Sequence, residues 1–206
     1  MASEKTKTVR KPRGQGPERR GEILAAARRI FAMRGYQAAT MREVAREAGV
    51  SAPALYLYFD SKETLLHAIA EEVFGLLEHE VRAAVQSGAS PQDALRHGIA
   101  AYVAFGRAHP DAYRLVFMAK PSHAPRPGRR VEPGATQRTF DILVQAVAAL
   151  GAPREPRAAA ETLWAAMHGL AALMIDFPDV PENGDEEGAI TALSDMAIAW
   201  LRQAAS

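Results

Sequence analysis

Apolar residues recur every three or four positions along most of the chain, and no stretch alternates apolar and polar residues as a half-buried strand would. The first apolar stripe predicts a helix over 18–33, because one helix face would carry all of its members. Gly35 follows it and is suited to the left-handed backbone that often comes after a helix end. The members of the stripe are Ile23, Leu24, Ala27, Ile30 and Phe31.

Two short helical segments follow the first one. Thr40 and Glu43 have the spacing of a capping box, which predicts a helix that begins at Thr40 and stops at Gly49. Ser51 is placed to cap a third helix that runs through Phe59. Two short helices around a glycine have helix-turn-helix geometry. This signal is weak by itself, because many helical proteins contain such a pair.

Longer helical patterns occupy the rest of the chain. Asp60 or Ser61 is placed to cap a fourth helix that ends near residue 87, with Glu63 positioned to reciprocate. The segment PSHAPRPGRRVEPG, residues 121–134, is rich in Pro, Gly and Arg, which predicts a mobile loop. The whole pattern predicts an all-α fold of about nine helices. The remaining helices are predicted at 91–107, 111–119, 134–150, 156–176 and 186–203.

The composition narrows the class of protein. Of the 206 residues, 48% are hydrophobic and none is cysteine, which excludes disulfides, thiolate metal sites and a cysteine nucleophile. No apolar run approaches membrane-spanning length, and the N-terminal segment lacks the apolar core of a secretory signal. We therefore expect a globular cytoplasmic protein with no membrane partner.

The net charge of +1 hides a strong asymmetry along the chain. Residues 1–62 hold 13 Lys and Arg against 6 Asp and Glu, whereas residues 63–206 hold 12 against 18. A basic front and an acidic back indicate a segment that binds a polyanion, joined to a domain with another task. We expect three parts: a flexible basic arm over 1–17, a helix-turn-helix domain over 18–62 and a larger helical domain over 63–206.

Lys62 is the most informative polar residue of the basic front. A cation in the first turn of a helix opposes the helix dipole, at a cost of roughly 0.3–1 kcal/mol. In one interpretation, Lys62 binds a phosphate, which would turn that penalty into an attraction. In the other, the side chain is solvated and the protein bears the small cost. The residue alone leaves both interpretations open. Thr40 and Ser51 would add hydroxyl and N–H groups at helix starts, where phosphates bind.

The stretch TMREVAREAGVSAPALYLYFDSKETLLHAI resembles the DNA-binding region of TetR/AcrR-type regulators, and the preceding ILAAARRIFAMRGY resembles the first helix of that family. The resemblance implies a dimer that binds a palindromic operator in double-stranded DNA. It implies that Ala52, Pro53 and Ala54 face bases and that Arg42 contacts a phosphate or a base edge. The implied phosphate contacts are Thr40, Ser51, Tyr56, Tyr58 and Lys62.

The base-facing positions depart from the usual pattern of the family. Ala-Pro-Ala and Leu57 cannot make the paired hydrogen bonds that read guanine or adenine. Direct readout is then limited to thymine methyl groups and to Arg42. We expect additional reliance on DNA shape and on the basic arm, whose Arg10 and Arg13 could enter a minor groove.

The segment ETLWAAMHGLAALMI resembles a C-terminal domain type of this family that is named for a Trp-His-Gly signature, here Trp164, His168 and Gly169. It implies that the last two helices form a four-helix bundle between two subunits. The family also implies a cavity for a small hydrophobic or aromatic effector, although each candidate residue taken singly is better explained as core. The cavity candidates are Phe74, Tyr102, Phe105, Tyr113, Phe117, Met118, Trp164, Met167 and His168.

The expected function is sequence-specific regulation of transcription by a repressor that its effector releases from DNA, without cofactor, metal or enzymatic activity. An enzyme is one alternative. His67 and Glu71 share a helix face and His79 lies between two glutamates, but no second cluster completes a metal site. The other alternative is a TetR-like protein that acts through protein partners or binds the nucleoid generally. The charge distribution does not distinguish this alternative from a sequence-specific regulator, because non-specific DNA binding uses the same phosphates.

Overall fold

The computed structural model describes residues 16–118, 134–151, 155–177, 179 and 185–204. Every regular element in these ranges is helical, which confirms the all-α fold class and its nine α-helices. A five-residue π-helical turn, Arg114–Met118, follows the sixth helix. The helices are α1 Gly16–Arg34, α2 Met41–Glu47, α3 Ala52–Tyr56, α4 Lys62–Gln86, α5 Pro91–Ala108, α6 Pro110–Tyr113, α7 Ala135–Ala148, α8 Pro156–Asp176 and α9 Glu186–Ala204.

The predicted capping box at the start of α2 is confirmed. Thr40 Oγ1 accepts the N–H of Glu43 at 3.3 Å, and a carboxylate oxygen of Glu43 accepts the N–H of Thr40 at 3.0 Å. These hydrogen bonds to Thr40 lower the pKa of Glu43. Gly35 and Gly49 have φ of 74° and 65°, so both adopt the left-handed backbone in which a Cβ is disfavoured. Local sequence therefore determines where the segment before α3 begins, at Gly35, and where it ends, at Gly49.

The third helix is shorter than predicted. It ends at Tyr56 instead of Phe59, and Leu57 is its C-cap residue. The N–H groups of Tyr58 and Phe59 both bond the carbonyl oxygen of Leu55, at 2.9 and 3.1 Å, so the chain tightens into a turn. This turn brings the Phe59 side chain into the core, where it is 4% exposed. Burial of the Phe59 ring is a tertiary effect, and it favours the turn over continuation of the helix.

Three other predicted boundaries differ in the structure. The cap of α4 contains a reciprocal pair between Ser61 and Thr64, with N···Oγ distances of 3.1 and 3.2 Å, which the sequence prediction did not include. The helix predicted at 111–119 is a four-residue helix followed by the π-helical turn. The first helix begins at Gly16, so it includes the last residues of the predicted arm. The rest of the arm, residues 1–15, lies outside the described residues.

The chain forms two compact units. The first comprises residues 1–70 and 114–126, and the second comprises residues 71–113 and 127–206. In the first unit α2 packs against both α1 and α3. Its core consists of the α1 stripe with apolar residues of the later helices. Fully buried members are Ile23, Leu24, Ala27, Val44, Leu55 and Leu65.

In the second unit α5 is central, because it packs against α7, α8 and α9. Arg96 pairs with Asp195, and Arg107 pairs with Glu186, so two ion pairs also join α5 to α9. Helix α8 has the length and apolarity that a membrane-spanning helix needs, which the sequence expectation missed. It packs against α5, α7 and α9, and the core helix of a helical domain passes the same test. The division at 17/18 and 62/63 remains a prediction.

Candidate nucleic-acid interface and apolar cavity

The segment from Thr40 to Tyr58 alternates between exposed polar positions and buried anchors. Leu55 is fully buried and holds α3 against the core of the first unit. Around it, most of the predicted contact residues are exposed, and Ala52 and Ala54 are half-buried. The exposed ones are Thr40, Arg42, Ser51, Pro53, Tyr56 and Tyr58. One face of this helix pair is thus free to meet another molecule.

The start of α3 is organised by Ser51. Its Oγ accepts the N–H of Ala54 at 3.3 Å, and Pro53 lies in the first turn, where a missing N–H costs nothing. The side chain that follows this helix, Leu57, is 86% exposed. Its sequence neighbours Tyr56 and Tyr58, which carry phenol groups, are exposed as well.

Lys62 has partners that its sequence did not reveal. Its Nζ donates to the carbonyl oxygens of Tyr36, Gln37 and Ala39, at 2.7, 3.0 and 3.0 Å. It also lies 4.7 Å from the ring centroid of Tyr36. Three carbonyl dipoles thus offset the unfavourable position of this cation at a helix start. A phosphate contact at Lys62 stays a prediction, and a phosphate would have to share an ammonium whose three N–H donors are used.

The arginines of the first unit differ in their partners. Arg29 lies 2.7 Å from a carboxylate oxygen of Glu47, and Arg34 lies 3.5 Å from one of Glu43. Arg42 is exposed at the start of α2, beside the proposed contact residue Thr40. Of these three arginines, it is the one best placed to meet a negatively charged ligand.

The second unit contains a cavity of about 500 Å³ between α4, α5, α7 and α8. Four of the predicted cavity residues line it: Phe74, Tyr102, Trp164 and Met167. Sequence reasoning missed the wall contributed by α7 and most of the α4 wall. The signal was the apolar periodicity of those helices, which does not distinguish a cavity wall from a packed core. These additional lining residues include Leu77, Val81, Val85, Phe140, Ile142, Leu143 and Ala146.

The other cavity candidates lie elsewhere. Phe105, Tyr113 and His168 are in the second unit but do not line the cavity. Phe117 lies in the segment 114–126, which groups with the first unit. The side chain of Met118 lies outside the described residues.

Tyr113 and His168 form a polar chain behind Tyr102. The hydroxyl oxygens of Tyr102 and Tyr113 are 3.2 Å apart, and the Tyr113 hydroxyl is 2.6 Å from Nδ1 of His168. Burial raises the pKa of Tyr102 to about 12 and also raises the pKa of Tyr113. Burial lowers the pKa of His168. All three groups are therefore neutral near pH 7, and Tyr102 is the member that reaches the cavity.

Glu71, a member of the helix face considered for metal binding, has a structural partner. Its carboxylate accepts the N–H of Ala135 at 2.9 Å, at the start of α7. The N-cap of α7 is Gly134, which has no side chain to cap the helix. Among the described residues, no group of three His, Cys, Asp or Glu side chains is arranged to hold a metal ion.

Comparison with known proteins gives matches over both units. Residues 23–69 match the family model described as bacterial regulatory proteins of the tetR family, and residues 95–193 match the model described as the tetracyclin repressor-like C-terminal domain. A solved structure of a protein with unknown function from Rhodococcus sp. RHA1 is 28% identical, with a TM-score of 0.73. That match covers 93% of this chain and 99% of the other.

Curated relatives match over part of their length. The transcriptional activator FasR of Mycolicibacterium smegmatis is 40% identical over 100 residues, which are 48% of this chain and 46% of the relative. The transcriptional regulator HbdR of Aromatoleum sp. is 33% identical over 105 residues, 51% of this chain and 46% of the relative. This chain thus matches just under half the length of each.

Proposed function

This chain belongs to the TetR family of bacterial regulatory proteins, and we propose that it is a DNA-binding regulator of transcription that responds to a small apolar molecule. The observation that carries the proposal is the capped pair α2 and α3, in which Leu55 is buried and the side chains around it are exposed. In a helix-turn-helix the second helix enters the major groove while the first crosses the backbone.

The proposed contacts follow from these positions. Thr40, Ser51, Tyr56 and Tyr58 bind phosphates, and Arg42 binds a phosphate or a base edge. Ala52, Pro53 and Ala54 approach the bases at the start of α3, where a small side chain permits close contact. Because these three offer no paired hydrogen bonds, the proposal assigns part of the specificity to DNA shape and to the basic arm.

The regulator acts as a homodimer in this proposal, through its last two helices. Leu173 and Phe177 lie one turn apart at the end of α8, and Met196 and Trp200 lie one turn apart on α9; all four are exposed. Large apolar groups in such pairs are typical of a surface that another subunit covers. A two-fold dimer would place two copies of α3 on the two halves of a palindromic operator.

The cavity is the proposed effector site. Helix α4 carries Lys62 at its first residue and Phe74, Leu77, Val81 and Val85 along the cavity wall. An effector that binds the DNA-incompetent form more tightly shifts the dimer away from the operator, which gives repression relieved by ligand. Such a repressor acts in the cytoplasm and needs neither cofactor nor catalytic group.

Selection of duplex DNA from a random library by the full chain, followed by footprinting, tests the proposal. A short palindromic protected site is the expected result. Uniform protection without sequence preference would contradict it and would favour general nucleoid binding.

A charge variant sharpens this test. Arg42→Gln should weaken binding to the selected duplex, and the slope of log affinity against log salt should become shallower by about 0.9 if Arg42 contacts one phosphate. Arg82→Gln makes the same exchange in the second unit, where Arg82 pairs with Glu78 at 2.8 Å, and should leave DNA binding unchanged.

A further inference from the structure

We propose that the cavity of the second unit selects an uncharged amphiphile, a molecule with an apolar body and one hydroxyl-type polar group, and rejects a carboxylate of the same size. This inference rests on the proposed function only in calling the occupant an effector. Binding itself is measured without DNA.

The size and walls of the cavity favour an apolar body. About 500 Å³ lies within the range of sites that take drug-sized ligands. Aliphatic side chains from α4, α5 and α7 face Phe74, Phe140 and Trp164 around it. A ligand here gains mainly from removing apolar surface from water, and this gain does not depend on its polar group.

The charges around the cavity make binding of an anionic ligand unfavourable. Among the described lining residues, the one with a formal charge is Glu161, which is itself negative and whose side chain is 61% exposed. Arg157 lies 3.7 Å from Glu161, but it also pairs with Asp141 at 3.7 Å and lies over the ring of Phe140. The guanidinium nearest to Glu161 is thus shared between two carboxylates.

The second arginine on this side of the unit is also held by a carboxylate. Arg138 lies next to the lining residue Gln137, and its Nε donates to Glu78 at 2.9 Å. The same Glu78 accepts a hydrogen bond from Arg82 at 2.8 Å. A carboxylate that entered the cavity would lose its hydration without a described lining cation to replace it, and that loss is costly.

One polar group fits an uncharged head. The Tyr102 side chain lines the cavity, and its hydroxyl, which bonds the Tyr113 hydroxyl at 3.2 Å, stays neutral because burial raises its pKa to about 12. Two other polar lining groups also bond protein atoms: Thr139 donates to the carbonyl oxygen of Ala135 at 2.8 Å, and Gln137 donates to Asp141 at 2.7 Å. A ligand hydroxyl both donates and accepts, so it can pair with Tyr102 in either orientation of that phenol.

The test uses probes of one chain length that differ only in their polar group. Isothermal titration calorimetry of the full chain at pH 8 would compare 1-dodecanol with dodecanoate, both below the concentration at which they aggregate. We expect 1-dodecanol to bind at least ten-fold more tightly, and Tyr102→Phe to weaken its binding several-fold. Equal or tighter binding of dodecanoate overturns the proposal, and so does failure of both probes to bind.

A gain-of-charge variant tests the same idea in the opposite direction. Leu143→Lys places a cation on the wall and should raise the affinity for dodecanoate at least ten-fold relative to 1-dodecanol. Leu143→Met, which adds no charge, should keep the preference for 1-dodecanol. If Leu143→Lys binds the two probes as the unchanged chain does, charge is not what selects the ligand. Failure of the regulator proposal would appear in footprinting, which these titrations do not use.

Discussion

The ammonium of Lys62 lies 2.7 Å from the carbonyl oxygen of Tyr36 and 4.7 Å from the centroid of the same residue's ring. One side chain thus binds both the backbone and the face of a residue 26 positions earlier in the chain. Because Tyr36 begins the loop that leads to Thr40, Lys62 ties the start of α4 to the start of α2. We infer that it positions the proposed DNA-contact residues.

Replacing Lys62 by Met should separate positioning from phosphate binding. The variant keeps an apolar stem but loses three charged hydrogen bonds, so the free energy of unfolding should fall by about 1–3 kcal/mol. Affinity for the selected duplex should also fall, because Thr40 and α2 lose a restraint. If Lys62 acts by positioning alone, the slope of log affinity against log salt should stay the same.

Arg42→Met is the matched comparison for that experiment. It loses a charge at a proposed phosphate or base contact, and a phosphate contact there would make the salt slope shallower by about 0.9. If Lys62→Met changed the slope by the same amount, Lys62 would be a phosphate ligand and the positioning role would be wrong.

Leu57 should read thymine methyl groups. At 86% exposure it has little to lose on truncation, so Leu57→Ala should leave the melting temperature nearly unchanged. Replacing the thymines of the selected duplex by deoxyuracil removes only methyl groups. Each methyl in contact with Leu57 should then contribute about 0.8 kcal/mol, roughly a four-fold change in affinity.

The two changes are best combined in a double-mutant cycle. The unchanged chain should discriminate thymine from deoxyuracil at one or more positions, and Leu57→Ala should lose that discrimination. Equal discrimination by both chains would remove Leu57 from the set of base-reading residues.

Acid should destabilise the protein through His168. Burial lowers the pKa of His168 in the folded state below its unfolded value near 6.5. The unfolded state therefore binds the proton more readily, and stability is fully present above the unfolded pKa and lost as the pH falls through the folded one. Urea unfolding at pH 8, 7, 6 and 5 should show this loss.

His168→Asn provides the comparison, because the chain has 6 histidines. The difference between the two pH profiles isolates His168. The variant should be less stable at pH 8, where it loses the ring contacts of the imidazole with Tyr113 and Trp164, and should change less between pH 7 and pH 5. Parallel profiles would show that His168 does not carry this pH dependence.

A charge on the exposed face of α9 should dissociate the proposed dimer. Met196 is 68% exposed, and Met196→Asp would place a carboxylate in the middle of that apolar face. Analytical ultracentrifugation should show a monomer, and affinity for the palindromic duplex should fall because one half-site is released. Thr191→Asp changes an exposed residue roughly 140° around the same helix and should leave the dimer intact. Dissociation by both variants, or by neither, would place the interface elsewhere.

Local features of the fold could be predicted from the sequence, and features that depend on distant contacts could not. The capping box of Thr40 and Glu43 and the positive φ of Gly49 involve neighbouring residues, and both follow from residue type and spacing. The end of α3 depends on burial of Phe59 by residues far away in the chain, and it was placed three residues too late.

The dependence on distant contacts also explains why only some of the cavity residues could be predicted from the sequence. Helical periodicity indicates that Tyr102 and Tyr113 face inward, but it does not indicate which of them meets a cavity. Four aromatic and sulfur-containing candidates line the cavity, while Tyr113 and His168 lie behind it. The carbonyl partners of Lys62 lie 23 to 26 residues away, beyond the reach of a local pattern.

Trp164 lines the cavity and stacks on His168, with ring centroids 5.9 Å apart. The chain has one other tryptophan, Trp200. In a Trp200→Phe background, the indole at the cavity wall would be the protein's single tryptophan, which can be excited selectively over the tyrosines. Its emission should shift to shorter wavelength when an apolar ligand displaces water from it, so candidate effectors could be screened optically without a label and without knowledge of the operator.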